Sequence, residues 1–226
     1  MDSVILKSIK NKRVIILDYE TLDRETTQQV REKYNKKAKN YDKIMGPMDR
    51  MMMGKWREML CKNAKGLVLE AGVGTGANFP YYPQGVKVIG IDFSQSMLEI
   101  AESKISQAKV PIELKLADIQ ELPFADNTFD TIITACVFCS VPFPVKGFQE
   151  LRRVVKQDGR LYLLEHVRSE RAVVGTVMDL LNPLTVRFQG VNINRRTEAN
   201  MLQAGLSIVE VKNLLSDIVK LITAKK

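Results

Sequence analysis

The run Val68-Leu69-Glu70-Ala71-Gly72-Val73-Gly74-Thr75-Gly76 constrains the fold more than any other stretch, because an apolar strand leads straight into three alternating glycines. Glycine tolerates positive φ and carries no Cβ, so such a turn bends sharply and lets the backbone approach a ligand before the next helix begins. About twenty residues further on, a second apolar strand, Val86-Lys87-Val88-Ile89-Gly90-Ile91, ends at Asp92, a carboxylate placed to accept both ribose hydroxyls of an adenosine. Turn and acid together define a nucleotide-type cofactor site. The spacing narrows the class. A dinucleotide fingerprint wants Gly-x-Gly-x-x-Gly, whereas here the third glycine arrives one residue early and Ala77 and Asn78 follow it. Glu70, close before the first glycine, repels a phosphate but attracts an ammonium, directly or through water. A cationic, phosphate-free adenosine fits better than the dinucleotide of a nicotinamide oxidoreductase.

Strand-like runs at residues 66–70, 87–92, 113–117, 131–135 and 160–166 alternate with helical candidates, clearest at 96–107 and 148–155. Such alternation predicts an α/β fold with a parallel, doubly wound sheet. Thr197 reads as a helix N-cap and Gly205 as a helix stop, followed by two final strands, Leu206 to Val211 and Ile218 to Ile222. Residues 217–226 also fit a basic amphipathic helix on a membrane, but β-branched residues favour the strand.

At 226 residues and 45% hydrophobic content, the chain suits one well-buried domain. Within it, residues 1–65 read as an N-terminal extension with basic lid helices, and residues 66–226 as the cofactor-binding domain. No apolar run approaches the roughly 18 residues needed to span a bilayer, and Asp2 and scattered lysines replace a signal core. The expectation is a cytoplasmic protein, peripheral to a membrane at most. Cys61, Cys136 and Cys139 form no secreted-type disulfide framework and, with one histidine in the chain, no ordinary zinc site. No metal is expected.

Residues 1–65 hold 16 Lys+Arg against 9 Asp+Glu, while the remainder is nearly balanced. Between Arg31 and Lys43, Lys33, Lys36, Lys37 and Lys39 are countered only by Glu32 and Asp42. A helix over 31–43 therefore suits an anionic membrane surface or an acidic partner, or is simply a solvated face. Nucleic acid is not expected, since only Tyr34 and Tyr41 interleave the tract. Those tyrosines lie seven residues apart and share a helical face. Met45, Met48, Met51, Met52, Met53 and Met59, with Trp56, suit an adaptable apolar pocket or ordinary helix packing.

These residues resemble the class I S-adenosylmethionine-dependent methyltransferases. Residues 70–76 are similar to the family's first motif, Gly90-Ile91-Asp92-Phe93-Ser94-Gln95-Ser96-Met97-Leu98 to its second, and Ala117-Asp118-Ile119 to its third. The resemblance extends from about Tyr34 to the end of the chain. It implies a Rossmann-like, seven-stranded, mostly parallel sheet with the last strand antiparallel and helices on both faces. It implies S-adenosylmethionine as donor, leaving S-adenosylhomocysteine. Gly72, Gly74 and Gly76 would line the methionine part, Asp92 hold the ribose, Phe93 and Met97 flank the adenine, and Asp118 accept from its amino group; Ser94, Ile119 and Ala135 join the same site. In the quinone, phospholipid and small-molecule branch a similar Tyr-Asp element forms a lid, which implies that Tyr41 closes the donor site and Tyr34 reaches the acceptor. Residues 74–79 with Tyr82-Pro83, then 137–141, 165–167 and 192–195, resemble animal thiol S-methyltransferases. The implied acceptor is small and largely apolar, a thiol first, then a quinone-type ring or phospholipid amine. A non-catalytic cofactor sensor or accessory subunit is the competing reading, and the oligomeric state is open.

Methyl transfer from a sulfonium is an in-line displacement, so holding the nucleophile about 3 to 3.5 Å from the methyl supplies much of the acceleration. His166, the one imidazole, follows Glu165 at the end of a strand, where it can serve as a base toward the acceptor or in a supporting or structural role. Cys136 and Cys139 read as small apolar wall residues near the methyl. Arg195 or Arg196 offers a guanidinium to a carboxylate or phosphate, or serves in capping and surface pairing.

Overall fold

The computed structural model describes residues 5–8, 14–17, 19–48 and 53–226. Strands β1 (Ile5–Ser8) and β2 (Val14–Leu17) pair antiparallel as a separate ribbon, with Ile5 opposite Leu17. Val4 and the basic stretch 10–13 lie outside the described residues, as do Met51 and Met52 of the methionine-rich run. Helices α1 (Tyr19–Met48) and α2 (Gly54–Cys61) lead into the main sheet. Its strands are β3 (Leu67–Ala71), β4 (Lys87–Asp92), β5 (Ile112–Leu116), β6 (Phe129–Ala135), β7 (Val155–His166), β8 (Ser207–Leu215) and β9 (Val219–Lys225). Helix α3 (Gln95–Glu102) follows β4, α4 (Pro144–Val154) follows β6, and α5 (Ala172–Gln189) and α6 (Thr197–Gln203) lie between β7 and β8.

The strand order is β5-β4-β3-β6-β7-β9-β8, and β9 alone runs antiparallel to its neighbours. The expected doubly wound sheet with an antiparallel last strand is borne out, and residues 219–225 form a strand rather than a membrane helix. Period-two alternation sends successive side chains to opposite faces. Leu69 of β3 and Ile132 of β6 join Phe148, Leu151 and Met201 on the face covered by α4 and α6. Val68 and Ile133 join Leu60 and Leu98 on the face covered by α2 and α3. Both faces are therefore dry, as a parallel sheet requires. The edge strand β5 is half exposed, and Glu113 pairs there with Lys115 (3.1 Å) and Lys87 (3.7 Å), charges that discourage pairing with another sheet.

Several boundaries differ from the sequence expectation for local reasons. Ser94, not Ser96, opens α3: its hydroxyl accepts from Met97 N (3.2 Å) as a helix cap. The helix stops at Glu102, where the Ser103 hydroxyl donates back to the Ile100 carbonyl (2.6 Å). Helix α4 begins earlier, at Pro144, whose missing N–H costs nothing in the first turn. The 18-residue α5 is absent from the sequence expectation. Val173, Val174 and Val177 disfavour helix, and Pro183 removes an interior hydrogen bond. Tertiary contacts supply what propensity does not. Gly190 caps the helix in the left-handed region (φ 74°), and Lys33 and Lys37 of α1 donate to its last carbonyls: Val186 (2.8 Å), Arg187 (2.9 Å) and Gln189 (2.7 Å).

The chain adds β4 and β5 on one side of β3, then crosses to place β6 on the other. The switch opens a crevice at the carboxyl ends of β3 and β6. Beneath it, Phe148 stacks on Phe138 at 3.6 Å between ring centroids, and both rings are fully buried. Phe148→Ala should cost about 3–5 kcal/mol in urea unfolding; a loss below about 1 kcal/mol would mean that this layer does not anchor the crevice floor.

Candidate functional site

The glycine turn after β3 follows the predicted geometry, with φ of 78° at Gly72, 55° at Gly74 and 77° at Gly76. The three glycines are needed for different reasons. A Cβ at Gly72 would meet the Val137 side chain at 2.5 Å, and one at Gly76 would meet the Phe79 ring at 2.5 Å, so both serve close packing. A Cβ at Gly74 would meet nothing within 4 Å. Gly74 therefore presents bare backbone to an open cavity, the cradle a closely held ligand needs.

That cavity contains about 900 Å³ of empty space, partly open to solvent, within the usual range for small-molecule sites. Its wall includes Tyr34, Tyr41, Glu70, Gly72, Gly74 and Asp92, together with Phe93, Met97, Asp118, Ile119 and Ala135. Gly76 and Ser94 stand behind the wall, Gly76 against Phe79 and Ser94 as the cap of α3 and a donor to Asn35 Oδ1 (2.6 Å). The two tyrosines seven residues apart do share the cavity face of α1.

Asp92 ties the turn to β4. Its Oδ2 accepts from Gly74 N (2.9 Å) and its Oδ1 from Ser94 N (2.8 Å). Each carboxylate oxygen keeps a lone pair for a ribose hydroxyl. Burial pushes the carboxyl up to about 6, although the backbone amides of Ser94 and Gly74 work against that rise. Glu70 is also buried, with Oε1 accepting from Asn78 Nδ2 (2.8 Å) and Oε2 from the Tyr82 hydroxyl (2.7 Å). Desolvation pushes it up to about 7. Arg57 lines the same end and donates to Asn78 Oδ1 (2.7 Å). Sequence reasoning missed Arg57, which belongs to no motif of fixed spacing, and gave Asn78 no role beyond its place after the glycine turn.

Opposite lies the expected adenine side. Phe93, Met97, Asp118 and Ile119 all line the cavity, and Gln120 fixes Asp118 by donating to both of its oxygens (3.2 and 3.1 Å). The same amide nitrogen donates to Thr27 of α1 (3.0 Å). Helix α1 is thus fastened over the site. Thr75 donates to Asp42 (2.7 Å), Lys104 pairs with the other oxygen of Asp42, and the Tyr34 ring lies 5.8 Å from Phe93. Lys33 and Lys37 of the basic tract are engaged as caps of α5, not merely solvated.

The remaining wall, from Ala135 to Pro142, is mostly apolar. Its polar feature is a hydrogen bond between the Tyr34 and Ser140 hydroxyls. Burial raises the Tyr34 phenol well above its ordinary value and pushes the Cys139 thiol up to about 12, so both stay protonated at neutral pH. Glu165 holds this segment from beneath, accepting from the Thr134 hydroxyl (3.0 Å), Val137 N (3.2 Å) and Phe138 N (3.3 Å). Desolvation pushes Glu165 up to about 7. His166, the next residue on β7, pairs with Val219 and does not line the cavity. Its pKa is lowered by burial. Arg195 donates to the Val141 carbonyl (2.8 Å) and so supports the wall, and both Arg195 and Arg196 line a separate surface cleft. Among the described residues no cluster of His, Cys, Asp and Glu suits a metal.

A protein-family model described as "Methyltransferase domain" matches residues 69–163. The phosphatidylethanolamine N-methyltransferase of Cereibacter sphaeroides is 38% identical over 118 residues, which cover 51% of this chain and 58% of that protein. The chain thus spans little more than half the length of that relative. The thiol S-methyltransferase TMT1B of Mus musculus is 33% identical over 182 residues, covering 77% of this chain and 73% of that one. Among solved structures, an S-adenosylmethionine-dependent methyltransferase from Aquifex aeolicus superposes with a TM-score of 0.63 at 22% identity, covering 84% of this chain and 97% of that one. That likeness concerns the fold.

The cavity geometry sets a pH dependence. Only ionised Asp92 is a pure acceptor, so affinity for S-adenosylhomocysteine should fall as pH drops through about 6. In calorimetry, Asp92→Asn should weaken binding at neutral pH by at least about tenfold and flatten the slope near that pH. An unchanged slope in the variant would remove Asp92 from the ribose contact.

Proposed function

The chain belongs to the class I S-adenosylmethionine-dependent methyltransferases, and we propose that its acceptor is a small, largely apolar molecule, a thiol first and a quinone-type ring or phospholipid amine next. The observation that carries this reading is the character of the wall from Ala135 to Pro142. It is apolar, its hydroxyls are Tyr34 and Ser140, and among the described lining residues it offers no imidazole. An acceptor that must lose a proton during attack would need a base there. A thiol keeps a small thiolate fraction near neutral pH without a protein base, and that strong nucleophile needs only to be held in line.

The donor supplies an electrophilic methyl on a sulfonium when bound. This chain's residues do the positioning. Glu70 offers a carboxylate to the ammonium of the donor's amino-acid part, and Arg57 a guanidinium to its carboxylate. Gly74 leaves room for the sulfonium segment, Asp92 takes the ribose hydroxyls, and Phe93, Met97, Asp118 and Ile119 receive the adenine. Tyr41 and Tyr34 cover the bound donor from α1. The paired hydroxyls of Tyr34 and Ser140 orient the sulfur of the acceptor, while Val137, Val141 and Pro142 exclude water. Support for a thiol comes from the extent of the match to TMT1B, and support for a lipid amine from the match to the bacterial enzyme.

Release of S-adenosylhomocysteine, measured with an aliphatic thiol, a quinone-type ring or phosphatidylethanolamine liposomes, tests the reading. Turnover with the thiol is expected, reduced about tenfold or more by Ser140→Ala and within about threefold of wild type in His166→Ala. Turnover with the liposomes and not the thiol would reverse the acceptor order. Loss of thiol turnover in His166→Ala with donor affinity intact would restore the imidazole to the chemistry.

A further inference from the structure

Helix α5 carries an apolar face that no part of the described chain covers. Val173, Val177, Leu180, Leu181, Leu184 and Phe188 each leave between 47% and 78% of their surface exposed. At 3.6 residues per turn these six fall within an arc of about 100°, whereas Gly175 and Met178, the buried residues of the helix, point elsewhere. Isolated exposed leucines are ordinary, but a continuous stripe over four turns marks an interaction surface.

The charges around the stripe identify its occupant. The arc itself carries none. The one carboxylate of the helix, Asp179, lies off the arc and is engaged by Arg168 (2.8 Å) and Asn194 (2.9 Å). Exposed Arg171 stands at the amino end, and Arg187 stands at the carboxyl end with its guanidinium 5.9 Å from the Phe188 ring. Lys33 and Lys37 reach the same end from α1, and Lys36 is exposed beside them. An apolar stripe bracketed by cations is the pattern of a helix lying in the interface of an anionic bilayer. A second copy of this chain fits poorly. Parallel pairing of two α5 helices sets each cationic end against itself, and antiparallel pairing sets Arg171 against Arg187 and its neighbouring lysines. No described helix is long and apolar enough to cross a membrane, so the helix would lie in the plane.

We propose that α5, with the cations of α1 beside its carboxyl end, docks this enzyme on an anionic lipid surface. Helix α5 adjoins the acceptor side of the cavity through the face opposite the stripe. Asn182 of α5 accepts from Ile193 N (2.9 Å) and donates to Asn192 (3.3 Å), and Asn192 N donates to the Cys139 carbonyl (2.7 Å) in the apolar wall. Tyr34, beside Lys33, completes that wall. Docking therefore sets the acceptor wall one helix away from the headgroups, near which apolar acceptors concentrate.

The test is flotation of the full chain with vesicles of phosphatidylcholine alone and of phosphatidylcholine mixed with phosphatidylglycerol. The wild type should float with the mixed vesicles and detach as salt is raised. Leu180→Asp with Leu184→Asp should weaken partition by about tenfold or more, and Phe188→Ser should weaken it to a lesser degree. Both variants alter exposed positions, so affinity for S-adenosylhomocysteine should stay unchanged, which separates lost docking from lost folding. The assay reads partition and not turnover, so it stands whatever the acceptor. Wild type that stays with the lipid-free fraction, or a double variant that floats as well as wild type, would overturn the proposal. So would a wild-type dimer in light scattering that the double variant converts to monomer, because the stripe would then be an interface between copies.

Discussion

The carboxylate of Asp92 holds the site together. It ends β4, accepts the amide of Gly74 from the turn after β3, and accepts the amide of Ser94 at the start of α3. One buried group thus fixes a glycine turn, a strand end and a helix start in a single frame at the switch point of the sheet. The contacts spread outward from there. Ser94 reaches Asn35 of α1 and Thr75 reaches Asp42, so the same frame also fastens helix α1 above the cavity.

Three buried carboxyls surround the cavity, Asp92 pushed up to about 6 and Glu70 and Glu165 to about 7, each chiefly by desolvation. The unfolded chain ionises these groups first, so between about pH 4 and 7 they cost stability progressively as pH rises. Their hydrogen bonds offset part of that cost: Asn78 and Tyr82 on Glu70, backbone amides on Asp92, and Thr134 with two amides on Glu165. Such groups collect where a ligand is bound. Glu70 and Asp92 face the cavity directly, whereas Glu165 shapes the apolar wall through the segment it holds.

The parts of this fold that depend on local backbone chemistry are legible in the sequence. Alternating glycines, strand-ending acids and runs of β-branched residues announce the sheet and its switch point. Helix α5 is not legible, because Val173, Val174 and Pro183 argue locally against a helix that Gly190, Lys33 and Lys37 stabilise from outside. Lys33 and Lys37 show the same limit from the other side: the sequence displays the charge of a basic tract but not the carbonyls, some 150 positions away, that two of its lysines cap. Within the site, Glu165 and His166 sit on adjacent positions of one strand, and the sequence does not say which faces the cavity wall. Ser140 falls in the resembling stretch 137–141, but only the fold brings its hydroxyl to Tyr34.

On the proposed reading the site positions its acceptor without a base, which leaves ionisation to the acceptor itself. The most direct measurement is the pH dependence of kcat/KM across a series of thiols of graded acidity. The midpoint of each profile should move with the thiol's own pKa, after allowance for the loss of donor binding near pH 6. A midpoint that stays fixed while the thiol changes would assign the proton to a group of the protein and contradict the account.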